Sequence, residues 1–406
     1  MTILYVLQQS IYNNNNKWLT ADSNINMMTG MLRTVLEKRD WKFKILVAPL
    51  KDFADINSYD EIFKHDNVEF VPFNFPVNAF TNRQNFVVKD WNKVLKKYKP
   101  DIIWNNITEV SRNIKTLLFN NKIDSKLITT CYWLDAPEIG QEKVDTSISY
   151  DWRQFDGFEC SDLVAFTCES TKKAWTKNAK NKFNKKYIND ILKKSVIWDF
   201  GYSSYELNSE YDEDFYREIK NKTSNKQIIL FLNRLSGINY THHEEFIEAV
   251  NMLAKERDDF VVIFTNPSQK YSWDSLRSYV DNLVVLKEDS LTRGEYSTLL
   301  KAGNISVHLF EKELYGGCAH RESIESENIV VTTKVNEYLR IQGKSYKFYC
   351  TVNPESIKDK LSMALDTKTF INVKDFGKIY IRNSKSSFEE ISIDVINNIE
   401  NIGENK

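Results

Sequence analysis

Short apolar runs alternate with longer segments of helical spacing along almost the whole chain. In the first half the runs fall at 3–7, 43–47, 68–72, 101–104, 127–132, 163–167 and 196–200. They are dense in Ile, Leu, Val and Phe, the pattern of strands covered on both faces. Between them, 24–38, 86–98, 109–121 and 169–178 place apolar residues three and four apart, as a helix with one buried face does. The second half repeats the scheme. Strands are predicted at 228–232, 261–265, 283–286, 305–309, 329–332 and 348–352, and helices at 241–256, 272–280, 293–302, 319–327 and 354–365. Strands separated by helices imply parallel sheets with helices on both sides.

Between the halves, 203–225 is polar and poor in β-branched residues, the composition of a linker. The predicted fold is therefore α/β, with two Rossmann-like, doubly wound domains facing a central cleft. Residues 1–202 form the first domain and 226–385 the second. The tail 386–406 reads as an amphipathic helix with a polar end, placed to return to the first domain. A chain of 406 residues also exceeds what one ordinary core holds.

Composition narrows the class. With 42% hydrophobic residues, 20 Tyr and 24 Phe, bulk disorder is excluded. No apolar run is long enough for a membrane helix, and the start Met-Thr-Ile-Leu-Tyr-Val reads as a buried strand rather than a signal peptide. The five cysteines (131, 160, 168, 318 and 350) form no C-x-x-C pair. Free thiols in a reducing, cytoplasmic setting are expected, with no metal site. The net charge of −1 gives no global sign of a polyanionic partner.

The segment richest in candidate chemistry runs from Glu313 through Tyr315-Gly316-Gly317 to Arg321, Glu322 and Glu325. It follows a predicted strand and enters a helix. Free amides at such a helix start suit an anion, whereas carboxylates around it suit hydroxyls. A nucleotide-sugar offers both groups. A plain tight turn with macrodipole-favoured glutamates fits the same residues. After the first strand of the second half come Asn233-Arg234 and, a few residues later, Tyr240-Thr241-His242-His243. Arg234, at a strand's C-terminal end, is placed to meet phosphate.

Asn-Arg after a strand, followed about eighty residues later by Glu-Leu-Tyr-Gly-Gly and Arg-Glu-Ser-Ile-Glu, resembles retaining nucleotide-sugar glycosyltransferases of the GT-B fold. The segments 162–172 and 196–202 are similar to those enzymes' elements before the cleft and at the hinge. The resemblance implies that Glu313 holds the donor sugar's hydroxyls, that Gly316 and Gly317 admit the diphosphate, and that Arg234 binds the phosphates. It also implies that Glu322 contacts the ribose. Eight residues separate Glu313 from Glu322 where the family has seven, so Glu325 competes for the last role. The family's lysine after the Arg is replaced here by Tyr240, Thr241 and His242. A UDP-sugar donor without metal or other cofactor is implied.

In the first half, Asp135 and Glu138 close a predicted strand at the cleft, where Asp135 would position an acceptor hydroxyl or simply serve a turn before Pro137. From Lys172 to Lys194 there are nine lysines (172, 173, 177, 180, 182, 185, 186, 193 and 194) and one carboxylate, Asp190, with Trp175, Phe183 and Tyr187 interleaved. Cations among aromatics make a track for nucleic acid, although a solvated lysine face reads the same way. In this respect the chain resembles bacteriophage glycosyltransferases that modify hydroxymethylated pyrimidines. Double-stranded DNA is then the expected acceptor. A glycan, lipid or small-molecule acceptor, or a non-catalytic nucleotide-sugar-binding protein, stays open at this point.

Overall fold

The computed structural model describes residues 1–7, 23–47, 61–73, 86–131, 150–199, 201–204, 207, 211–233, 235, 241–265, 272–288, 291–310, 317–367 and 387–404. The chain divides into two compact units, Met1–Asp199 with Phe388–Lys406, and Phe200–Ser387.

The first unit is built on seven parallel strands: β1 (Thr2–Val6), β2 (Lys42–Val47), β3 (Val68–Pro72), β4 (Ile102–Asn105), β5 (Lys126–Cys131), β6 (Leu163–Phe166) and β7 (Ser195–Ile197). They lie in the order β3-β2-β1-β4-β5-β6-β7. Its helices are α1 (Ser23–Lys38), α2 (Val88–Tyr98), α3 (Ser111–Asn120), α4 (Tyr150–Cys160), α5 (Glu169–Lys180) and α6 (Lys185–Lys193). The order of the strands reverses between β1 and β4, and such a reversal opens a crevice beyond the strands' C-terminal ends.

Local chemistry explains where these elements stop and how closely they pack. In α2, Trp91, Val94 and Leu95 form the buried stripe, and Lys99 ends the helix in the left-handed region at φ 40 before Pro100. A Cβ added to Gly157 of α4 would stand 2.2 Å from the Thr108 carbonyl oxygen. That neighbour is backbone and cannot swing away. Gly157→Ala is therefore expected to lower stability by about 1–3 kcal/mol in urea unfolding, although alanine is the better helix former.

The second unit carries α7 (Glu213–Lys222), β8 (Gln227–Phe231), α8 (His243–Ala254), β9 (Phe260–Phe264), α9 (Trp273–Tyr279) and α10 (Arg293–Ala302). There follow β10 (Ile305–His308), α11 (Cys318–Glu325), β11 (Ile329–Thr333), α12 (Asn336–Gln342), β12 (Tyr349–Cys350) and α13 (Pro354–Leu365). The sheet is again all parallel, in the order β12-β11-β10-β8-β9, with its reversal between β8 and β10. Apolar clusters cover it on both faces. One includes Ile229, Phe231, Phe246 and Val307, and the other Ile228, Leu230, Leu299 and Val330. The final helix, α14 (Phe388–Glu404), belongs to the first unit and packs on α1, where Gly30 leaves the room that Phe388 fills.

Two expectations need correction. The supposed linker 203–225 contains α7, whose Phe215 and Ile219 are buried in the second core. Asp212 caps this helix by accepting from the Phe215 amide at 2.9 Å, and its own amide donates to Thr298 Oγ1. Only two apolar residues a turn apart anchor it, which is why its polar composition reads as a linker. The strand expected at 283–286 is a single bridge between Leu283 and Val262. It follows Asn282, held at φ 59, and Leu286 then turns into the core.

Candidate functional site

The crevice-forming reversal of the second sheet lies between β8 and β10. Asn233, just past β8, spans the two strands by donating from Nδ2 to the Val307 carbonyl at 3.4 Å. The chain then leads from β8 to α8 and from β10 to α11. Arg234, Tyr240, Glu313 and Gly316 fall in these connections and lie outside the described residues, as does Asp135 in the first unit.

Helix α11 is fixed from three directions. Gly317 is its N-cap, with φ −45 and no side-chain cap. A Cβ added there would meet nothing within 4 Å among the described residues. The backbone angle itself does not require glycine. Glu322 is 2% exposed. Its Oε1 accepts from Arg293 Nη2 at 2.5 Å and its Oε2 from the Tyr296 hydroxyl at 3.0 Å. Burial and the neighbouring Glu322 carboxylate push the Tyr296 phenol well above its ordinary pKa, so it stays a hydrogen-bond donor. Glu325, the last residue of the helix, is part-exposed.

The other side of α11 faces inward. Arg321 is 0% exposed and donates from Nη2 to Glu337 Oε1 at 3.1 Å, and Arg340 joins the same carboxylate at 2.5 Å. The placing of Arg321 among the donor-binding candidates is thus corrected. It alternates with Glu322 around the helix and points into the core. His320 stacks on Tyr338 at 3.8 Å and pairs with Gln342 at 3.1 Å. His308, at the end of β10, meets Ser323 at 3.1 Å. Burial pushes the His308 ring down to about 3 and holds His320 well below the usual histidine range.

His242 opens α8 in the left-handed region at φ 52, with Nδ1 3.5 Å from Glu245 and no capping bond from its side chain. His243 is buried against Thr241. In the first unit, Asn106 sits just beyond β4 at the reversal, where its amide donates to the Val6 carbonyl. Its side chain is buried beside the Tyr5 phenol. Nearby in sequence, Glu109 is also buried and accepts from Gln154 at 3.1 Å. All five cysteines are free. Burial raises Cys160 to about 11 and Cys350 to about 12, which makes both poor nucleophiles.

The lysine-rich segment divides into α5, a turn and α6. Lys173, Lys177, Lys180, Lys185 and Lys186 are exposed, whereas Lys172 and Lys182 are half-buried. Trp175 is 0% exposed and packs among Phe155, Phe158 and Phe166. It is a core residue and offers no face to a base, which corrects its assignment to a nucleic-acid track. Its position on the inner face of α5, opposite the lysines, accounts for this.

Sequence reading passed over Arg293 and Tyr296. The available signal was the capping box, in which Thr292 and Glu295 exchange side-chain-to-backbone bonds. Fixing the helix start there puts positions 293 and 296 on one face of its first turn.

No protein-family model matches the chain, and no curated protein matches it in sequence. Solved structures do match along its whole length. The sucrose-phosphate synthase of Thermosynechococcus elongatus superposes with a TM-score of 0.72 at 11% identity, covering 100% of both chains. HepE of Anabaena, in complex with UDP-glucose, gives 0.67 at 13% identity over 99% of this chain and 100% of its own. An E. coli trehalose-6-phosphate protein bound to UDP-2-fluoroglucose gives 0.67 at 12% identity and 99% of each chain. The chain has the GT-B fold.

Proposed function

We propose that this protein is a glycosyltransferase that moves a sugar from a UDP-sugar with retention, without a metal, onto a hydroxymethylated pyrimidine of DNA, as a bacteriophage enzyme acting in its host's cytoplasm would. The donor half rests on one observation: whole-length GT-B likeness to proteins whose structures hold UDP or UDP-glucose. The start of α11 at Gly317 suits the diphosphate, since its outermost amides have no partner in the preceding turn. Glu322 begins about 6 Å along the helix from Cys318, roughly the reach from diphosphate to ribose, and Glu325 about 10 Å. Arg293 and Tyr296 hold the Glu322 carboxylate in one orientation, leaving lone pairs for ribose hydroxyls. Glu322 is therefore our choice over Glu325. Arg234 would meet the phosphates and Glu313 the sugar's hydroxyls. In a retaining transfer the acceptor oxygen bonds to the anomeric carbon as the bond to phosphate breaks, and the departing phosphate oxygen takes the proton.

The acceptor half rests on the exposed lysines of α5 and α6, which form a basic face suited to phosphate groups. An epimerase is the second reading, because a Listeria monocytogenes protein described as a UDP-N-acetylglucosamine 2-epimerase superposes at a TM-score of 0.61 over 100% of the chain.

A thermal-shift panel of UDP-sugars, followed by mass spectrometry of products with and without hydroxymethylated DNA, tests the proposal. Stabilisation by UDP-sugars and a sugar-bearing base are expected. An isomerised donor with no transfer would establish the epimerase reading, and no response to any UDP compound would refute both. Glu322→Gln is expected to weaken UDP binding by about tenfold, with Glu325→Gln changing it little.

A further inference from the structure

The basic face carries one aromatic side chain that neither the donor site nor the core accounts for. Trp152, in the first turn of α4, is 51% exposed. Its ring stands edge-on to Phe183 at 5.3 Å, and Phe183 stacks on Tyr187 at 4.4 Å. The Tyr187 hydroxyl donates to the Phe155 carbonyl of α4 at 3.2 Å, which ties this stack to the body of the unit. Lys182 Nζ lies 5.6 Å from the Trp152 ring centre and 5.4 Å from that of Phe155. Lys180 ends α5, Lys185 and Lys186 begin α6, and all three are exposed. No carboxylate occurs between Glu169 and Asp190. Further along α4, Asp156 and Glu159 are engaged by Arg112 at 3.2 and 2.6 Å.

An indole already held by edge contacts with Phe155 and Phe183 loses little freedom when a flat partner lies on it. Exposing half of so large an apolar surface beside four lysines suits a ligand that is flat and attached to anionic groups. We propose that Trp152 is a stacking platform for an unpaired nucleobase, with Lys180, Lys185 and Lys186 taking the neighbouring phosphates. The nucleic-acid partner rests on the acceptor reading above, whereas the residue and the preference for an unpaired strand follow from this surface. A base inside a duplex presents no free face to a ring on a helix, so the platform discriminates in favour of single strands or extruded nucleotides.

The test is fluorescence anisotropy with a labelled oligothymidylate of about a dozen nucleotides and a duplex of equal length, between roughly 50 and 200 mM salt. Trp152→Ala is expected to weaken single-strand binding by about tenfold or more while changing duplex binding less than about twofold. Its salt dependence should stay that of the wild type. Lys180, Lys185 and Lys186 replaced together by Glu should weaken both ligands and flatten the salt dependence. Trp152→Phe keeps a ring and should retain most of the single-strand affinity, which separates stacking from any loss of folding seen by circular dichroism. Wild-type affinity in Trp152→Ala, with the lysine variant impaired, would overturn the platform and leave the nucleic-acid reading standing. So would a Trp152→Phe protein that folds normally yet binds as poorly as Trp152→Ala. If the wild-type protein binds neither ligand, the nucleic-acid reading itself falls, and the platform with it.

Discussion

Glu337→Ala is expected to destabilise the second unit by about 3–5 kcal/mol. The Glu337 carboxylate is buried and accepts from two guanidinium groups, those of Arg321 and Arg340. Their situations differ. Arg340 has a side chain 31% exposed and can turn to water, whereas Arg321 is fully enclosed on α11. Removing the carboxylate takes from a fully buried cation the counter-charge that Glu337 supplies, which is the costly way to break such a pair. Arg340→Ala should cost only about 1 kcal/mol or less, because a half-exposed partner contributes little net. Urea unfolding of the two variants measures the contrast, and equal losses would contradict it. The link to function is direct. The pair seats the helix that also carries Glu322, so under the proposed function a loosened α11 should also weaken UDP binding.

Acidification supplies the second large effect. His308 and His320 are buried with ring centres 5.5 Å apart, and desolvation lowers the pKa of both. For His320 the nearby His308 and Arg321 add to this. Between the unfolded value near 6.5 and the depressed folded value, the unfolded chain binds more protons than the folded one. Stability from the His308 ring is therefore fully present above about pH 6.5 and is lost as the pH falls towards about 3, and His320 acts in the same direction. At pH 5 the His308 ring should have cost about 2 kcal/mol, with His320 adding a loss of the same sign. His308→Gln, which keeps an amide donor near Ser323, should lose about 2 kcal/mol less than the wild type between pH 7 and pH 5. A variant as acid-sensitive as the wild type would show that other groups dominate.

Legibility in the sequence followed the strength of each local signal. The central strands are continuous apolar runs, and all but one appear where their composition places them. The exception, 283–286, has the right residues but one bridge beside the edge strand β9, since composition does not say whether a neighbour is available. Helix α7 was hidden because two buried side chains suffice to anchor ten residues. Helix α6 was hidden inside a lysine run whose charge outweighed its buried Ile188 and Ile191.

The site divides in the same way. Strand β10 and helix α11 are visible on either side of the glycines, because the apolar run of one and the helical spacing of the other are local signals. The direction of each side chain leaving that helix is not. Arg321 and Glu322 are adjacent in sequence, yet one enters the core towards Glu337 and the other meets Arg293. Trp175 and Trp152 differ for a similar reason, one ring lying buried under α5 and the other exposed on α4. Sequence alone determined the alternation of strands and helices, the α/β class and the segment holding the candidate chemistry, since these depend on periodicity and turn chemistry within a few residues. Only the tertiary structure decided which charges are paired and which rings are open. Those depend on what distant segments bring to each face, and burial there changes an ion pair or an aromatic ring from a surface detail into a determinant of stability or binding.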